Sequence, residues 1–183
     1  MAKSKWTKTT YKLDGGTHGW ECKPGYNIFI ADRGAVRFDF PADWVFEPET
    51  TTFKFHDRQP PDDDCTLEVS IFHLPPQVDW SELRLPQMLI EITGGEALEG
   101  RSQGNVVSAN RPGLEIVWLE SAWVEDGRDA RSRQCLARGN DVQILVTMVF
   151  WAEHAERFIP VWDEALRTLH LGEYIREPVQ RKN

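Results

Sequence analysis

A clean alternation of apolar and charged positions runs through Val36-Arg37-Phe38-Asp39-Phe40. A strand repeats every two residues, so Val36, Phe38 and Phe40 share one face and the charges share the other, as in a half-buried strand. Pro41 ends it, because proline cannot donate to a sheet ladder. Trp44 follows in a turn, placed to cap the end of a core. Phe53-Lys54-Phe55-His56 continues the pattern. In 65–74, Leu67, Val69 and Ile71 face one way and Thr66, Glu68 and Ser70 the other. The stretch 114–124 is long and apolar, and Asp126-Gly127 is a tight hairpin signal. Residues 131–137 return as a more polar strand, and Gly139-Asn140 marks another turn. Residues 142–151 are apolar at both parities except for Gln143 and Thr147. That pattern predicts a central strand with cover on both faces.

Helical spacing occurs twice. Pro75-Pro76 breaks the sheet, and Asp79 followed by Glu82 has the spacing of a capping box. Trp80, Leu83, Met88, Leu89 and Ile92 then form an apolar side. Pro86 interrupts it, which predicts a short turn and then a helix ending near Gly94-Gly95. Ala155, Phe158, Ile159, Trp162, Ala165, Leu166 and Leu169 fall at i, i+3, i+4, i+7, a helical stripe. Pro160 requires that the helix start close to it or kink there. Gly172 reads as the C-cap.

Ahead of these elements, Tyr11-Lys12-Leu13 suggests a short strand, Asp14-Gly15-Gly16 and Lys23-Pro24-Gly25 turns, and Tyr26-Asn27-Ile28-Phe29-Ile30 a strand. This region reads as an extension that docks a hairpin onto the main sheet. The expected organisation is an N-terminal extension at 1–34, one α+β domain at 35–172 and a polar tail at 173–183. The expected fold class is α+β: an antiparallel meander of about six or seven strands flanked by helices on both faces.

Composition narrows the functional classes. With 183 residues, one domain is the natural expectation, large enough to need no disulfide or metal staple. Acidic residues outnumber basic ones by 29 to 21. A net negative field repels nucleic acid and anionic membrane, so neither is expected as a partner. The basic N-terminus lacks the apolar run of a secretory signal. The stretch 142–152 is shorter than the ~20 residues of a membrane span. Three widely spaced cysteines form no CxxC pair, which points to reduced, buried thiols in a cytoplasmic protein. Eight Trp and nine Phe supply either core or binding surface, and composition does not separate the two uses.

No pattern of reactive side chains stands clear of its structural alternative. The histidines lack metal-ligand spacing, and His73, following Leu67, Val69 and Ile71, reads as a satisfied core residue. Asp62-Asp63-Asp64 invites a cation, but lacks the spaced ligands and the glycine of a calcium loop. Cys135, next to Gln134 and Arg133, is a thiol whose pKa arginine would lower, set against a buried structural thiol. There is no G-x-S-x-G elbow and no phosphate loop. Arg128, Arg131, Arg133 and Arg138 gather around the predicted hairpin, with Arg131 and Arg133 on one face and Trp123 nearby. They suit the carboxylate or phosphate of a partner. The alternative is a solvated edge strand protected by charge.

The strand-proline-tryptophan run Val36-Arg37-Phe38-Asp39-Phe40-Pro41-Ala42-Asp43-Trp44 resembles the opening strand of the PsbP-like fold family. A helix after the first strands, a long antiparallel meander and a closing helix at 155–171 are also similar. The resemblance spans 35–172. It implies an α/β/α sandwich that works as a non-enzymatic module through its protein surfaces, with no catalytic residues and no cofactor. The expectation is therefore a protein-binding or adaptor domain, chaperone-like in kind, with Arg128, Arg131, Arg133 and Trp123 as its candidate binding residues. Enzyme status stays open. One alternative is a small-molecule-binding domain or enzyme in which His73, Cys135 or the arginines converge in a pocket on the sheet. Another is a metal-binding protein with the ion at Asp62–Asp64.

Overall fold

The alternating segments pair into two antiparallel sheets. The computed structural model describes residues 20–49, 52–94 and 100–175; the segments proposed at 11–13 and 14–16 lie outside them. Strands β1 (Tyr26–Ala31), β2 (Val36–Pro41) and β11 (His170–Leu171) form a sheet ordered β1-β2-β11. The large sheet takes β3 (Val45–Pro48), β4 (Thr52–His56), β5 (Cys65–His73), β6 (Ser102–Gln103), β7 (Val107–Ser108), β8 (Glu115–Glu125), β9 (Arg128–Gly139) and β10 (Val142–Trp151). Among the described residues its order is β3-β4-β5-β10-β9-β8-β6, with β7 also on β8. Its eight strands exceed the expected six or seven, because two-residue strands such as β6 and β7 carry no readable period. The alternating strand at Val36–Pro41 belongs to the small sheet. The turn after Pro41 folds that sheet over the large one, so that Phe29 and Phe38 meet Phe55 at ring-centroid distances of 5.1 and 5.5 Å.

Helix α2 (Ala155–Arg167) buries the expected stripe. Phe158, Val161, Trp162 and Ala165 share a cluster with Ile116, Cys135, Ala137, Ile144, Val146, Met148 and Phe150. Full burial of side chains such as Trp162 and Phe158 stabilises by about 1.5–3 kcal/mol each. Pro160 lies inside the helix, which a 3-10 turn at Ala152–His154 precedes. The helix ends at Thr168, whose N–H donates to the Glu164 carbonyl. Gly172 therefore does not cap it. It follows β11 instead, with φ +67°, and donates to the Ala35 carbonyl.

Helix α1 (Leu85–Ile92) has Pro86 in its first turn, where the missing N–H costs nothing. The Asp79 carboxylate accepts from the Ser81 N–H at 3.0 Å, in a short turn ahead of the helix. Leu85 and Leu89 pack with Val117, Leu119 and Leu136. Successive residues of β8, β9 and β10 thus divide between the two clusters, as strand alternation requires. β10 sits between β5 and β9. Its even-numbered residues join the α2 cluster, and Leu145 packs against the α1 cluster. Val149, on the same face as Leu145, is 38% exposed.

Candidate functional site

The β8–β9 hairpin closes on Asp126-Gly127, both at positive φ (50° and 78°), the geometry that matches strand twist in a two-residue turn. This register sets Trp123 opposite Ala130, and the β9–β10 register sets Trp151 opposite the same Ala130. Directly paired residues point to one side of a sheet. Two half-buried tryptophans therefore flank one small residue across three adjacent strands. The Arg128 guanidinium stacks on Trp151 at 4.0 Å and that of Arg101 on Trp123 at 4.3 Å. Arg128 also pairs with Glu153, and the Trp123 indole donates to Glu125 at 3.1 Å.

The predicted arginine cluster does not form one patch. Strand parity places Arg128 and Arg138 on the side of the two tryptophans, and Arg131 and Arg133 on the other. Arg138 lies at the far end of β9. It donates to the carbonyls of Trp80 and Leu83 and to Gln143, pinning the segment ahead of α1. Arg133 is buried, pairs with Glu120 at 2.7 Å and stacks on Trp118 at 4.9 Å. Arg131 reaches the other Glu120 oxygen at 3.3 Å. The solvated-edge alternative fails on topology, since β9 lies between β10 and β8.

Two hollows adjoin this end of the sheet. One, of 370 Å³, is lined by Ser102, Ala122, Val124, Asp129, Arg131 and Ala152, among others. The second, of 150 Å³, lies beside Thr66, Glu125, Val149 and Trp151. Arg101, Asp129 and Trp151 were not singled out from the sequence as site residues. Their proximity depends on strand register, which no local pattern reveals.

The remaining sequence candidates disperse. His73 is exposed rather than core, and its Nε2 lies 3.1 Å from Asp32. Facing the end of the small sheet, it sits beyond the last covered residue of its strand. Cys135 is fully buried, and burial pushes its thiol far up, away from thiolate character. Neither it nor His73 lines either of the two hollows at this end of the sheet. Within the Asp62–Asp64 run, Asp64 pairs with Arg58 and His154. Asp63 lies 2.9 Å from the His56 Nδ1 and accepts from the Thr66 hydroxyl at 2.8 Å. Burial pushes the Asp63 carboxyl up, but these bonds outweigh it and hold the group below the usual carboxylate range. Among the described residues no three His, Cys, Asp or Glu side chains are grouped to hold a metal ion. No helix among them is long and apolar enough to cross a membrane.

The layered arrangement of the large antiparallel sheet, its two helices and the small crossing sheet defines a PsbP-like fold. Superposition on cyanobacterial PsbP from Synechocystis sp. PCC 6803 gives a TM-score of 0.58 at 13% identity, covering 83% of this chain and 98% of that one. The Ran-binding protein Mog1p of Saccharomyces cerevisiae gives 0.53 at 10% identity, over 80% and 95% of the two chains. The chain belongs to the Alr1449 family, whose model matches residues 27–175. It is 45% identical over 186 residues to the uncharacterized protein alr1449 of Nostoc sp. (strain PCC 7120), covering 97% of this chain and 96% of that one.

Proposed function

We propose that this protein is a non-enzymatic, protein-binding module that docks a partner on the Trp123–Ala130–Trp151 end of its large sheet. The observation that carries the reading is the pair of half-buried tryptophans capped by Arg101 and Arg128. Tryptophan and arginine are the residue types most enriched in binding hot spots. Each stacked arginine also screens an apolar ring that would otherwise face water. The 150 Å³ hollow beside Trp151 suits a side chain of a partner. The yeast protein of the same fold is itself a Ran-binding protein, which agrees with a fold used through its surface. The reading includes a cytoplasmic setting, supported by free cysteines at Cys22, Cys65 and Cys135.

The test is affinity capture from native host cells with the wild-type chain, Trp151→Ala, Arg128→Glu and a distant control, Arg84→Glu. The expected result is a partner at near-stoichiometric yield that both corner variants lose and the control keeps. A partner retained by both corner variants, or none above background, refutes the reading.

A further inference from the structure

The 370 Å³ cleft is lined by Ala122, Val124, Asp129 and Arg131, whose side chains lie on the sheet face opposite the tryptophan row, and it also touches Trp123 and Ala130 of that row. Its floor is a square of four residues from two paired strands: Ala122 opposite Arg131, and Val124 opposite Asp129. Ala122 is small, and the Arg131 guanidinium leans toward Glu120 on the neighbouring strand, at 3.3 Å. Ser102 borders the cleft on the β6 side and Ala152 on the other. Such a volume falls at the small end of the roughly 300–1,000 Å³ of ligand pockets.

Its charges are balanced but not joined. Arg131 and Asp129 sit two residues apart on one strand face, about 6.6 Å along the chain, and do not pair with each other. Arg131 makes one long contact, 3.3 Å to Glu120, a carboxylate already held at 2.7 Å by Arg133. Most of its five donors are therefore uncommitted. Asp129 is exposed and has no ion pair among the described residues. A purely anionic ligand would meet Asp129, and a purely cationic one would meet Arg131. A molecule carrying both charges a few ångströms apart satisfies the two together. Beside them Ala122 and the exposed Val124 present apolar surface.

We infer that this cleft binds a free α-amino acid with a small apolar side chain, its carboxylate on Arg131, its ammonium on Asp129 and its side chain against Ala122 and Val124. The inference stands apart from partner docking, since the four side chains it uses point to the other face of the sheet and none is a stacked arginine.

The experiment is a two-dimensional amide NMR titration of the full chain with L-valine, N-acetylvaline and valinamide. Valine is expected to shift the Ala122, Val124 and Arg131 amides saturably. The two analogues, each lacking one charge, should bind at least about tenfold more weakly, as should valine to Arg131→Gln and Asp129→Asn, because each change removes a charge-assisted contact. No saturable shift with valine overturns the inference. So does N-acetylvaline binding as well as valine, which would make the cleft a plain carboxylate site. Should Arg131→Gln lose its fold in a thermal melt, Asp129→Asn decides alone, because that side chain is exposed and supports nothing else.

Discussion

Asp57, just past the end of β4, offers a sharp test of how the loop at 57–64 is held to α2. Its carboxylate has no solvent exposure. One oxygen accepts from the backbone N–H groups of Asp64 and Cys65 at 2.7 and 2.9 Å. The other faces Arg157 at 3.2 Å and Arg58 at 3.4 Å. Asp57→Asn keeps the shape and removes the charge. Two hydrogen bonds to a charged group, at about 1.5–3 kcal/mol each, become neutral ones at about 0.5–1.5. An amide NH₂ also turns toward two guanidinium groups. Arg157 is 52% exposed, so water solvates it once its partner is gone, and its share is screened. The expected loss is about 2–3 kcal/mol, which for a chain of this length lowers Tm by roughly 5–10 °C. Urea and thermal unfolding of the wild type, Asp57→Asn, Arg157→Met and the double variant measure it, and the cycle isolates the Asp57–Arg157 coupling. Arg157→Met alone should cost less than about 1 kcal/mol. A cost for Asp57→Asn within about 0.5 kcal/mol of zero would refute the assignment of the buried carboxylate as the anchor of this loop.

Three further outcomes are expected. Burial first, and then the neighbouring Glu164, raise the Asp39 carboxyl above its ordinary value. The stability it lends is thus fully present below the ordinary carboxylate range and is lost as pH rises through the raised folded value. Asp39→Asn should therefore exceed the wild type in unfolding free energy at about pH 7 and match it near pH 3. Arg111 donates to the carbonyls of Leu166, Arg167 and Leu169 at 2.9, 2.6 and 2.8 Å. Arg111→Met should cost about 2–4 kcal/mol in urea unfolding, from charge-assisted bonds lost at a helix C-terminus. Gly34 has φ +98°, and a Cβ there would run into the Glu173 carbonyl oxygen. Gly34→Ala should destabilise by more than about 2 kcal/mol in the same assay, and no cost would mean that the 173–175 segment yields freely.

The sequence exposed what local physics controls. The α2 stripe, the Asp126-Gly127 turn and the alternating strands at β2, β4 and β5 are each written within a dozen residues. The strand at β10 reads as central because both parities are apolar, and its neighbour β9 follows from the hairpin order, whereas β5 reaches it only through a long-range pairing. Long-range pairing leaves no such local trace. Nothing in Val36–Pro41 tells which sheet it joins, since its inward face meets Phe55 only after the chain has turned at Trp44. His73 looked like core because its parity matched Ile71, but the small sheet ends there and Asp32 meets it at the rim. The arginines looked like one group because they are close in sequence. Alternation and a long strand sent them to two faces and two ends. The Trp123–Trp151 row and the Arg131–Asp129 cleft depend on register between strands, and that information is not local.

The Arg111 bonds to the end of α2 also bear on the order of assembly. The contact to the Arg167 carbonyl joins residues 56 positions apart. The final turn of the helix is thus completed by a side chain synthesised long before it. A peptide cut to the helix alone would lack its last cap and fray there. The cap on α2 is thus a non-local contact, and forming it carries the entropy of closing a loop of 56 residues.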